Sequence, residues 1–300
     1  MSERPGERPP ASMVSVVIPT LLRSPTMEDA LRALATQEVD CDWEVILSVN
    51  RAGVEDESAL LLRRWSQRFP HLRIVDAAHR PGVSAARNAG IAAARGDLVV
   101  ICDDDDLVRP GWLRALVRAA TTADLVGGAL DVERLNVPSV RAWHRRPPTD
   151  RAPLALAFWP YAVGCNMAVW RDVWERHGGF DESWVAGCEE IEFSWRVIRG
   201  GGRVAFAPDA VVAYRYRTEL MDLVRQVYRW GRAEPRLYSC FRVDGVERTP
   251  VVGTIRWWFG HLRRATEVGR GPARRGRWLR LAAHRAGRVA GCIRFRTVYL

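Results

Sequence analysis

Over the first hundred residues, four short apolar runs alternate with three stretches of helical spacing, and this alternation constrains the fold more than any other feature. The runs are VSVVIPT (Val14–Thr20), WEVILSVN (Trp43–Asn50), LRIVDA (Leu72–Ala77) and DLVVIC (Asp97–Cys102). They are rich in β-branched residues, as strands buried on both faces of a parallel sheet are. Between them, MEDALRALATQ (Met27–Gln37) puts Met27, Ala30, Leu31 and Leu34 on one helical face. ESALLLRRWSQRF (Glu57–Phe69) reads as a second helix, and GVSAARNAGIAAA (Gly82–Ala94) as a third with Ser84 as its N-cap. This order predicts a doubly wound α/β sheet, in which ligands bind beyond the carboxyl ends of the strands.

The fourth run ends in four consecutive acids, Asp103, Asp104, Asp105 and Asp106. Like charges repel and resist burial, so a run of them capping a core strand predicts a counter-charge. Clustered carboxylates bind hard cations through oxygen, or work as acid–base pairs. Neighbours on one turn suit the first task better. Mg²⁺ takes one or two protein carboxylates and fills its other positions with water and phosphate oxygens. The run therefore predicts a metal–diphosphate site at the sheet edge.

Composition excludes several alternatives. All 45 basic residues are Arg, so Schiff-base chemistry and a phosphate-loop lysine are ruled out. The six cysteines are scattered without a C-x-x-C pair and predict reduced thiols, and the six histidines show no ligand spacing. The leader through Ser12 is polar and proline-rich and predicts disorder, not a secretory signal. The uncharged stretch Ala152–Trp170 holds Pro153, Pro160, Gly164 and Asn166, which fits buried core better than a membrane span. Further on, DLVGGALDVE (Asp124–Glu133) reads as a strand and EEIEFSWRVIRGG (Glu189–Gly201) as a helix. RVAFAPDAVVAYRY (Arg203–Tyr216) reads as two short strands about a proline turn, and the chain from Glu219 on as mostly helical.

Four segments, VSVVIPT, RPGVSAARNAGIAAARGDLVVICDDDD with Pro110 and Leu113, GCNMAVWRDVWERHGGFDE, and EEIEFSWR, follow one another in an order that resembles the family 2 glycosyltransferases of the GT-A fold. The resemblance covers roughly residues 14 to 217. It implies a catalytic domain over 13–218, a Rossmann-like mixed sheet, and an inverting, hexosyltransferase-type transfer from a nucleotide-diphosphate-sugar donor. The acceptor would be a hydroxyl of a glycan, a lipid-linked glycan or a small molecule. The D-x-D element falls on Asp103 and Asp105, which implies Mn²⁺ or Mg²⁺ there, with Asp105 the direct ligand. Asp103 or Asp104 would face the donor ribose. Pro19 and Thr20 match the nucleotide-contacting turn, and Arg87 with Asn88 match the "ARN" helix near the donor. Gly164 and Asn166 match the segment lining the sugar and acceptor pocket. In the acidic motif, Glu189 joins that pocket and Glu190 takes the general-base position.

The sequence also departs from the family pattern. After the second strand it reads SVNRAG, so Asn50 and Arg51 stand where relatives carry acids toward the base. After the late strand, Tyr214 and Arg215 stand where many relatives have a histidine, which gives Arg215 the charge role.

From 219 the chain turns basic, and Val251–Leu300 holds twelve arginines against one acid, Glu267. In TIRWWFGHLRR (Thr254–Arg264), Ile255, Trp258, Phe259 and Leu262 share a face. In RWLRLAAHRAGRVAGCIRF (Arg277–Phe295), Trp278, Leu281, Ala282, Val289 and Ile293 make a stripe. Two readings stand: an anionic membrane surface as partner, or packing on the catalytic body with a solvated arginine face. No base-reading motif is visible, so nucleic acid is not an expected partner. The expected location is the cytoplasm, peripheral at the inner face of the plasma membrane on the first reading. The competing function is a catalytically silent carbohydrate-binding or scaffold protein held by its basic tail. The retained Asp103, Asp105 and Glu190 argue against it.

Overall fold

The four apolar runs form four parallel strands: β1 (Met13–Thr20), β2 (Asp42–Val49), β3 (Leu72–Asp76) and β4 (Leu98–Cys102). Val16 of β1 lies between Val45 and Val100, so three β-branched side chains pack in one row across the sheet. The structure, a computed structural model, describes residues 7–69, 71–185, 187–248 and 250–299. Four more strands follow: β5 (Leu107–Val108), β6 (Leu125–Asp131), β7 (Asn166–Trp170) and β8 (Val204–Ala213). The sheet order is β3-β2-β1-β4-β7-β6-β8-β5. β7 runs antiparallel to β4 and β6, and β5 antiparallel to β8. The mixed α/β sheet expected from the sequence is present.

The helices are α1 (Met27–Leu34), α2 (Glu55–Trp65), α3 (Val83–Ala92), α4 (Trp112–Ala120), α5 (Pro138–Arg141), α6 (Arg171–Arg176), α7 (Glu189–Arg199), α8 (Leu220–Phe241), α9 (Val251–Arg263) and α10 (Pro272–Arg294). α1 buries the four side chains its spacing predicts, Met27, Ala30, Leu31 and Leu34. Ile18, Leu31, Ile46, Leu98 and Trp112 are fully buried in the main core. Each such side chain contributes about 1.5–3 kcal/mol relative to exposure. The stretch Ala152–Trp170 is core only in part: it ends in β7, which is buried throughout, but Leu154 is 58% exposed.

Several local expectations are corrected. α3 is capped by Gly82, whose φ of 132° suits glycine, while Ser84 sits buried inside the helix with no partner for its hydroxyl. Arg203–Tyr216 holds one strand, not two. Its register against β6 shifts from Gly128–Ala207 to Ala129–Val211, so Pro208, Asp209 and Ala210 bulge out in place of a turn. In the leader, residues 1–6 lie outside the described residues. Arg8 is fixed rather than disordered, because it is ion-paired to Asp124 and to Asp172 at 2.9 Å.

α8 packs on the body, and α10 on α8. Trp184, Trp195, Leu237 and Phe241 share a second core, with Trp195 edge-on to Phe241 at 5.1 Å. α10 then lies across α8 through glycines. A Cβ on Gly231 would collide with the His284 carbonyl, and one on Gly287 with the Tyr228 carbonyl. Glu234 of α8 closes the crossing by accepting from Arg288 and pairing with His284 at 3.2 Å. The docking face of α10 is therefore the glycine face with His284 and Arg288, not the stripe through Trp278, Val289 and Ile293. Backbones approach most closely where no Cβ intervenes.

Candidate active site

Thr20, at the end of β1, and the four aspartates, following β4, meet at the same edge because β1 and β4 are parallel neighbours. Thr20 Oγ1 donates to Asp104. Pro19, one residue earlier, is buried opposite Ser48 of β2. The other acids are divided among different partners. Asp106 accepts from the Arg215 backbone N–H at 2.7 Å, and its Oδ2 is buried without a partner. Asp105 faces Arg217 at 3.7 Å, and its carbonyl accepts from Arg215 Nε. Asp103 lies 4.0 Å from Arg87. Burial, reinforced by neighbouring aspartates, pushes Asp103 up to about 6 and Asp106 up to about 8.

Arg87, on α3, is 4 % exposed and joins this acidic turn to the start of α7. Its Nη1 donates to Glu189 Oε1 at 3.0 Å. The guanidinium lies over the Phe180 ring, and Gly164 lets it fit, since a Cβ there would collide with it. Asn88, the next residue, binds the Phe180 backbone on both sides and so fixes the loop beneath. Glu190 follows Glu189 at the head of α7. Burial and the adjacent Glu189 charge push its carboxyl up to about 8. One buried guanidinium thus lies between the acidic turn and a pair of glutamates.

The acidic turn suits a hard divalent cation. One oxygen of Asp106 has no partner, Asp103 holds its proton well into the weakly acidic range, and both conditions are relieved by a cation. Ligand atoms of Asp103, Asp106 and Cys165 lie within 4.8 Å of one another. The Cys165 thiol, raised well above its ordinary value by burial, favours its protonated form and suits such an ion poorly. The carboxylates are the matching donors.

Two predicted site residues turn out to serve the framework. Asn166 is fully buried, with its amide donating to the Ala129 and Ala210 carbonyls at 2.9 Å and accepting from Trp112 Nε1. These are carbonyls freed by the β6/β8 bulge, so Asn166 plugs it instead of lining the pocket. The Asn50 amide is engaged by the Ala77 and Arg80 carbonyls and the Gly82 N–H, which holds the entry to α3. Arg215 locks the acidic turn, and Arg217 is the arginine that reaches the Asp105 carboxylate and the cleft.

A cleft of about 400 Å³ opens beside Glu189 and Arg217. Trp184 lines it from the loop before α7, and Gln226, Arg229 and Trp230 line it from α8. Sequence reasoning missed these four. The i, i+3, i+4 spacing of the three α8 residues, which places them on one face, was the available signal.

Residues 15–178 match the family model described as glycosyl transferase family 2. The chain is 33% identical over 170 residues to the pre-mycofactocin glycosyltransferase of Mycobacterium tuberculosis, a match covering 52% of this chain and 35% of that protein. It therefore spans about a third of that relative's length. It is 24% identical over 233 residues to the glycosyltransferase AglE of Haloferax volcanii, covering 77% of this chain and 76% of the other. Among solved structures, the mannosyltransferase PcManGT from Pyrobaculum calidifontis, in complex with GDP-Man and Mn²⁺, superposes with a TM-score of 0.60 at 19% identity. That match covers 96% of this chain and 90% of the other and is a likeness of fold.

Proposed function

The chain belongs to glycosyl transferase family 2, and from that premise we propose that it moves a sugar from a nucleotide-diphosphate-sugar donor to an acceptor hydroxyl, inverting the anomeric carbon. The observation that carries this reading is the buried Arg87 guanidinium between Asp103, at 4.0 Å, and Glu189, at 3.0 Å, which ties an acidic turn to the glutamate that lines the cleft, with Glu190 beside it. An inverting transfer needs charge stabilisation on one side of the anomeric carbon and a proton acceptor on the other, and this guanidinium fixes the distance between the two.

In this reading Thr20 and Asp104 hold the donor's nucleoside end, and Arg217 faces the diphosphate. Asp103 and Asp106, with Asp105 once it leaves Arg217, would hold Mn²⁺ or Mg²⁺, which when bound offsets the charge left on the departing diphosphate. The GDP-Man and Mn²⁺ bound by PcManGT are the precedent. The acceptor is a glycan, a lipid-linked glycan or a small molecule. Trp230, 40% exposed, offers it a ring face suited to the apolar side of a sugar, with the buried Trp184 packed behind. Its oxygen bonds to the anomeric carbon as the carbon–diphosphate bond breaks, and its proton passes to Glu190. A carboxylate made more basic by burial and by Glu189 is better matched to a hydroxyl proton than an ordinary one.

The test is turnover of a panel of nucleotide sugars with Mn²⁺ or Mg²⁺, with product configuration read by NMR. The expected result is metal-dependent consumption of at least one donor and an inverted product. A retained configuration, or full turnover in EDTA, overturns the mechanism. Carbohydrate binding without turnover of any donor would favour the silent binding or scaffold protein.

A further inference from the structure

The basic tail divides into two helices with opposite fates. α10 is packed on α8 through its glycines, whereas α9 uses only one of its faces. On that face Thr254 and His261 are buried, and His261 stacks between Trp257 and Trp278 at 4.5 and 4.4 Å. The opposite face carries Val252, Ile255, Phe259 and Leu262, exposed by 59, 50, 63 and 57%. Their spacing of three, four and three residues makes one continuous apolar arc. Arg263 and Arg256 border the arc on one side, followed by Gly260 and Gly253, with nothing within 4 Å of a Cβ, and Trp258 borders it on the other.

We propose that α9 docks the protein on an anionic phospholipid surface, with this arc in the acyl boundary and Arg256 and Arg263 at the headgroups. The helix is about 20 Å long at 1.5 Å per residue, enough to lie in the interface plane. No described helix is long and apolar enough to cross a membrane. Charge selects the occupant. From Val251 to Arg270 the chain carries Arg256, Arg263, Arg264 and Arg270 against one acid, Glu267, and the whole chain is +10. A second copy of the chain would bring the same cationic surface to the contact, whereas an anionic bilayer brings the opposite one. This docking goes beyond the transferase reading and does not depend on it.

The test is sedimentation of the full chain with vesicles of phosphatidylglycerol and phosphatidylcholine in equal parts, and with phosphatidylcholine alone. Binding is expected to the anionic vesicles at low salt and to weaken as salt rises. The Ile255→Ser, Phe259→Ser double variant changes only exposed positions and should bind about 100-fold less, roughly tenfold for each side chain. Its thermal unfolding and nucleotide-sugar binding should match the wild type. Absence of wild-type binding at low salt overturns the proposal, as does undiminished binding by the double variant. A wild-type dimer that the double variant converts to monomer also overturns it, since the arc would then be covered by a second chain. Vesicle binding is read without turnover, so its failure is separable from failure of the transferase reading.

Discussion

Arg87 donates to Glu189 across 3.0 Å at a place where both side chains are under a tenth exposed. Removing one member of a buried pair leaves the other charge uncompensated, at a cost of about 3–5 kcal/mol. Arg87→Met should lower stability to chemical denaturation by that order. Arg87→Met combined with Glu189→Gln should recover part of the loss. Strictly additive losses in the double variant would show that the two charges do not depend on each other.

Glu190→Gln keeps the side chain's shape and removes the proton acceptor, so kcat should fall roughly 10²–10⁴-fold with donor affinity nearly unchanged. Because the Glu190 carboxyl is raised to about 8, the wild-type rate should climb with pH toward that value as the base ionises. Glu189→Gln removes a like charge from beside it and should move this rising limb to lower pH. If Glu189→Gln abolishes the rate while Glu190→Gln spares it, the proton acceptor is Glu189.

Asp106 gives a stability prediction in EDTA. Its folded value, about 8, lies above the ordinary carboxylate range, so its contribution is fully present at acidic pH and is lost as pH rises through 8. Asp106→Asn keeps an oxygen for the Arg215 N–H and has no charge to lose. Relative to wild type it should gain about 2–3 kcal/mol at pH 9 compared with pH 6. An unchanged difference between the two pH values would mean that Asp106 ionises without penalty.

Mn²⁺ should raise the melting temperature of the wild-type protein, and Asp105→Asn should reduce that shift and largely abolish transfer while leaving the metal-free fold intact. Calorimetry with and without Mn²⁺ measures the first effect. A full Mn²⁺ shift in the variant would remove Asp105 from the ligand set.

Asn166→Ala should behave as a framework lesion. It strands the Ala129 and Ala210 carbonyls and Trp112 Nε1, and each unsatisfied buried group costs about 1–3 kcal/mol. A loss of several kcal/mol with KM for donor unchanged in the surviving protein is expected. A stable variant with a weakened KM would return Asn166 to the pocket.

The strands were legible because a strand buried on both faces must be continuously apolar, and VSVVIPT and DLVVIC can be little else. The aspartate turn was legible for the opposite reason, since four acids at such a strand's end need a counter-charge. How the four divide their tasks was not. That Asp104 meets Thr20 while Asp106 meets Arg215 depends on which way each side chain leaves the turn. Asn166 was misread because its role exists only through a bulge about forty residues downstream, where Pro208 interrupts the ladder. Asn50 was misread for a similar reason, since its partners lie about thirty residues away. The glycines of α10 carry no periodic apolar signal, although they mark its docking face.

The crossing of α10 over α8 falls at Gly231, and the preceding residue, Trp230, faces the cleft. Heredity can therefore act on the two walls of that cleft separately. A change confined to the last thirty residues acts, through α8, on the wall that holds Trp230, while Thr20, the acidic turn and Arg87 sit at the end of β1, after β4 and on α3, away from the crossing. One wall of the cleft can thus change through a helix that does not line it.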